Sequence, residues 1–76
     1  MDERAIVIQV FVMSQDRIAK RHETPEYWDI LVSYEPDEGG KIEVVEEHDD
    51  LTETQVGPLV DQLQEKYGVS AEFVSG

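Results

Sequence analysis

The sequence predicts an α+β fold: a small antiparallel β-sheet with one main helix packed on one of its faces. Three observations predict it. Residues 5–13 form a β-branched and aromatic run, and two further runs of that kind flank a Pro- and Gly-rich stretch at residues 36–40. Val56, Leu59, Val60, Leu63 and Tyr67 then recur at i, i+3, i+4, i+7 and i+11, the spacing of a single helical stripe.

The first run, Ala5 to Met13, is apolar on both alternating faces. Ile6, Ile8, Val10 and Val12 share one side, and Val7, Phe11 and Met13 share the other. A strand that is apolar on two faces belongs in the middle of a sheet or under a partner. Residues 14–26 admit two readings. Ser14 could cap a short helix containing Ile18 and Arg21, giving the ferredoxin-like order β-α-β-β-α-β. An extended or looped connection instead gives β-β-β-α-β, which suits a segment with so few large apolar side chains.

Tyr27 to Glu35 alternates cleanly, with Trp28, Ile30, Val32 and Tyr34 on one face and Asp29, Leu31, Ser33 and Glu35 on the other. Pro36-Asp37-Glu38-Gly39-Gly40 is a turn, because proline presets φ and glycine supplies positive φ. Lys41 to His48 is expected to return as the third strand. Pro58 sets where the helix begins, since its missing N–H is harmless only near a helix start. Thr54 is therefore the expected N-cap, and Gly68 the left-handed C-cap. Val69 to Val74 closes the chain as a short strand, with Ala71 and Phe73 on one face.

All of this fits one domain over residues 1–76, because domains run roughly 50–250 residues. Strong acidity can mean disorder, but here 39% of residues are apolar, with ten Val and five Ile, and they are patterned. Fraying is expected only at residues 1–4 and 75–76. No cysteine is present, so disulfides, Cys-based zinc sites and thiol nucleophiles are excluded. The run at residues 5–13 falls far short of the roughly 20 residues that span a bilayer, and it lacks a signal-peptide cleavage pattern. A cytoplasmic protein is expected.

The net charge of −12 argues against direct contact with nucleic acid or anionic lipid. The charge is uneven. Residues 1–22 carry four basic and three acidic side chains, whereas residues 23–76 carry fifteen acids against Lys41 and Lys66. The densest stretch holds Glu43, Glu46, Glu47, Asp49, Asp50 and Glu53, with His48 among them. Residues two apart on a strand lie about 6.6 Å apart. A hairpin bearing Glu35, Glu43 and Glu47 could thus hold carboxylates in rows, at spacings like those of a phosphate backbone.

No catalytic residue, metal site or cofactor is expected. His22 and His48 have no Ser or Cys motif to serve, and none of the four serines lies in Gly-x-Ser-x-Gly. With eighteen acids, a nearby carboxylate pair arises by chance. Glu46, Glu47, Asp49 and Asp50 lack the glycine-bearing turn of a calcium loop. Gly39-Gly40 lies in a hairpin rather than at a helix N-terminus, so no phosphate loop is formed.

The acids are expected instead to meet a basic protein surface. Glu35, Glu43, Glu46, Glu47, Asp49, Asp50 and Glu53 are the candidate contacts, with Tyr27, Trp28 and Tyr34 as aromatic anchors where exposed. In size and charge the chain resembles the small acidic inhibitors of phages and mobile elements, including anti-CRISPR proteins and DNA mimics, and acidic antitoxins. The resemblance implies a non-enzymatic inhibitor that occupies a nucleic-acid-binding surface of its target. A second reading makes the chain a homodimeric structural or interaction module, with Val7, Phe11, Met13 and Leu31 as an apolar dimer face. Its acidity then serves solubility alone, as in a halophile.

Overall fold

The computed structural model describes residues 5–36 and 38–75. The expected fraying of residues 1–4 and 76, and the Asp37 position of the turn, lie outside them. The elements run β1 (Ile6–Ser14), β2 (Arg17–Ile18), β3 (Tyr27–Tyr34), β4 (Val44–Leu51), α1 (Glu53–Tyr67) and β5 (Ala71–Val74). They form a small α+β fold with one helix on one face of a five-stranded sheet.

β1 is central, as its two apolar faces require. It pairs antiparallel with β3 over Ile6–Met13, with Ile8 opposite Val32 and Val10 opposite Ile30. Its other edge takes β5 alongside Ile8–Phe11 and β2 beside Met13 and Ser14. β4 pairs antiparallel with β3 and forms the far edge. β5 runs parallel to β1, the one departure from an antiparallel sheet. Strands β4 and β5 point the same way, so their connection must cross the sheet, and α1 is that crossover.

The core lies between α1 and the face carrying Ile8, Val10, Ile30 and Val32, all four with no exposure to solvent. Val56, Val60 and Leu63 meet them from the helix, and Leu59, Tyr67 and Trp28 close the margins. Fully burying a side chain of this size contributes about 1.5–3 kcal/mol.

Segment 14–26 holds no helix, so the ferredoxin-like alternative does not form. Ser14 ends β1 instead of capping a helix, and its hydroxyl donates to Glu26 Oε1 at 3.3 Å. Gln15 and Asp16, both at positive φ, turn the chain into β2. Two central residues at positive φ match the twist of an antiparallel hairpin. Arg17 then pairs with Glu23 through two N–H···O bonds of 2.5 and 2.8 Å, and Glu23 also accepts from Lys20 N–H at 2.7 Å. These bonds, the Arg17 pair foremost, hold the Glu23 carboxyl at about 2, below the ordinary 4.5.

The third strand is displaced from its expected place, running Val44–Leu51 instead of Lys41–His48. Register shifts between Trp28 and Ile30, and between Val32 and Ser33, account for this. Tyr34 N–H still reaches Glu43 C=O at 3.0 Å. Asp50, at φ 54°, is set at the first irregularity, where its N–H donates to Asp29 Oδ1 at 3.0 Å. A side chain thereby satisfies a backbone donor that the irregular ladder displaces. β5 starts at Ala71, two residues later than expected, after Gln64 Oε1 accepts from Ala71 N–H at 2.8 Å.

The helix also begins earlier than expected, with Thr52 and not Thr54 as N-cap, leaving Pro58 inside it. Gln55 Oε1 accepts from Thr52 N–H at 3.0 Å, while Gln55 and Val56 N–H donate to Thr52 C=O. This reciprocal exchange ties down donors that a helix start leaves unpaired. Pro58 removes the bond to the Thr54 carbonyl. Gly57 has no Cβ to crowd the proline ring, which softens the restriction on the residue before a proline.

Gly68 caps the helix as expected, at φ 68°, with its N–H on Gln64 C=O at 2.8 Å. A Cβ at that position meets nothing within 4 Å, so substitution strains only the backbone. Gly68→Ala is therefore expected to cost about 1 kcal/mol, read as a lower urea midpoint with unchanged slope. A midpoint that does not move would show that the helix can end another way.

Candidate functional site

The acidic stretch runs along an edge strand, and its strand period divides the acids between two faces. Glu46 and His48 pair with Val32 and Ile30, which places them on the helix side. Glu47 pairs with Leu31 and so lies on the open side. Asp49 joins Glu47 there, around a cavity of about 230 Å³ lined by Phe11, Asp29, Ile30, Leu31, Glu47 and Asp49. Glu47, Asp49, Asp50 and Glu53 are exposed.

Glu46 is drawn inward. Its Oε2 accepts from the Tyr67 hydroxyl and, at 3.0 Å, from Lys66 Nζ, and its Oε1 lies 2.9 Å from His48 Nε2. The hydrogen bond from Tyr67, then those with His48 and Lys66, hold its carboxyl at about 2 against an ordinary 4.5. The same carboxylate pushes Lys66 and Tyr67 upward, in each case chiefly through its hydrogen bond. Glu46 thus clasps α1 to β4 across the sheet face. In the free protein Glu46 therefore has a structural role, tying the helix to the edge strand.

The expected row of Glu35, Glu43 and Glu47 does not form. Glu35 lies beyond β3, with its N–H on Ala5 C=O at 2.9 Å, and Glu43 precedes β4. The register shift sets Val44 opposite Ser33, so only Glu47 of the three stands within the ladder. Asp29 joins the site from the neighbouring strand instead. It was legible as a polar residue on the Leu31 face, but the irregular register that brings it to Asp49 and Asp50 was not.

The aromatic anchors are all half-buried. Trp28 packs on the core beside Leu51, and the Tyr27 hydroxyl donates to Asp16 Oδ1 at 3.3 Å. Burial, then the nearby Asp16 charge, raises the Tyr27 pKa. Exposed apolar side chains lie elsewhere: Ile42, Val44 and Val45 at the start of the β4 edge, Ile18 on β2 and Phe73 on β5. Among the described residues, no three His, Asp or Glu side chains converge on a possible metal position. No described helix is long and apolar enough to cross a membrane.

The chain matches no family model, and neither curated proteins nor solved structures provide a significant match.

Proposed function

We propose that this chain is a small non-enzymatic binding protein of the cytoplasm that inhibits a target by occupying its basic, nucleic-acid-binding surface, as anti-CRISPR proteins and DNA mimics do. The observation that supports this reading is the acidic edge of the sheet. Glu47 and Asp49 stand exposed beside Asp29, and the exposed Asp50 and Glu53 continue the acid along the chain. Like charges gathered so closely repel one another, and a basic partner relieves that repulsion. The same charges deter pairing between two β4 edges, where carboxylates would face carboxylates.

The test is capture from lysate at about 0.1 M salt with elution in salt steps, since screening shortens from about 10 Å to about 3 Å by 1 M. A nucleic-acid-binding protein should elute and should lose its nucleic acid to the captor. The double variant Glu47→Lys/Asp49→Lys should weaken that complex at least 100-fold, because each reversal turns an attraction into a repulsion. Glu46 and Asp50 are left intact, one because it clasps the helix and the other because it holds positive φ. A folded double variant with unchanged affinity would sink the proposal, as would a captured partner that binds no nucleic acid.

A further inference from the structure

The helix covers one face of the sheet, yet both faces of β1 are apolar. On the open face, strand alternation and the registers of β1, β3 and β5 set Val7, Phe11 and Leu31 around the half-buried Gln9, with Ser33 opposite Val7. The three apolar side chains are half-buried, and among the described residues the one helix packs on the opposite face. Acid flanks this floor on both sides. Glu47 and Asp49 stand on β4, and exposed Glu72, in register with Gln9, stands on β5.

We infer that this face docks a basic amphipathic helix of the partner, its apolar stripe on Phe11 and Leu31 and its flanking Lys or Arg side chains on the two acidic rims. The inference rests on the proposed function and names the element that the partner presents. Dimensions and charge carry it. Three strand spacings separate β4 from β5, about 14 Å. A helix with its side chains is about 10–12 Å across, so one helix covers the floor and its cations reach both rims. The nine residues of β1 extend about 30 Å, the length of a helix of about 20 residues.

The cavity of about 230 Å³ adds a socket, with Phe11 and Leu31 below and Asp29, Glu47 and Asp49 beside. A long cationic side chain fits such a place, with its stem on the apolar floor and its head at the carboxylates. A second copy of the chain is the poorer occupant, since each copy carries a net charge of −12.

The probes are two synthetic 20-residue helical peptides of one composition. One has a leucine stripe flanked by Arg and Lys, and in the other the same residues are permuted so that no stripe forms. The striped peptide should bind at least 10-fold tighter by fluorescence anisotropy. Amide resonances of Val7, Phe11 and Leu31 and the methyl resonances of Val7 and Leu31 should shift on binding, and Leu31→Asp should lose at least 10-fold in affinity. Equal affinity for the two peptides overturns the inference, as do shifts confined to the β4 edge of the unmodified protein. Sedimentation showing a dimer closed through this face overturns it as well.

The two proposals fail separately. If the peptides bind alike while Glu47→Lys/Asp49→Lys abolishes target capture, the docking helix falls and the inhibitor stands. If the striped peptide seats on the face but no nucleic-acid-binding protein is captured, the inhibitor falls.

Discussion

Ile30→Ala should lower the unfolding free energy by about 2–5 kcal/mol, the range for truncating a buried Ile. Ile30 has no solvent exposure, and it sits on β3 between Val10 of β1 and His48 of β4. Its side chain lies between the sheet and α1 among the other buried core residues, so the vacated space has little freedom to collapse. A domain of this size holds only about 4–11 kcal/mol in all, and a loss at the upper end unfolds much of the population at 25 °C. Urea melts followed by far-UV circular dichroism measure it. Ile42→Ala is the control: Ile42 is 57% exposed, and the change should stay within about 0.5 kcal/mol. Equal effects at the two positions would mean that the core is not where the burial pattern places it.

The core could be read from the chain because apolar periodicity is a local property. Ile8, Val10, Ile30 and Val32 alternate with period two, and Val56, Val60 and Leu63 follow the helical stripe, so each buried face was visible in a window of a few residues. The central place of β1 followed from its apolar character on both faces. Gly68 was legible for a similar reason, since few residues other than glycine hold positive φ at a helix end.

What escaped depends on contacts distant in sequence. The β4 register slips twice against β3, and no local signal in Glu46 to Asp50 marks that. These residues have poor strand propensity, yet they pair because β3 offers a ladder and the Asp29 carboxylate takes the displaced Asp50 N–H. The helix start was misplaced for a related reason. Pro58 argues locally for Thr54, but the Thr52–Gln55 exchange outweighs the one bond the proline forgoes. For the site, the acidic stretch and the apolar second face of β1 were both evident. Their division was not: one shift of register decides that Glu46 holds the helix while Glu47 faces outward.

That division leads to an acid-dependent stability. Glu46 titrates at about 2 in the folded protein against an ordinary 4.5, held down first by the Tyr67 hydroxyl and then by His48 and Lys66. A carboxyl whose folded pKa is depressed favours folding once ionised. Its contribution is therefore complete above about 4.5 and disappears as the pH falls toward 2. The side chain is 25% exposed, so solvent weakens the clasp, and a contribution on the order of 1–2 kcal/mol is expected. Glu46→Gln should be less stable than the parent by that amount at pH 7, and the two should converge as the pH approaches 2. Glu23, also near 2, titrates in both proteins and cancels from the difference. Tyr67→Phe removes the leading donor and should move the acid limb of the parent curve to higher pH. Urea midpoints taken at intervals from pH 7 to pH 2 measure all three proteins, and a gap between parent and Glu46→Gln that stays constant with pH would show that the clasp does not act through the Glu46 charge.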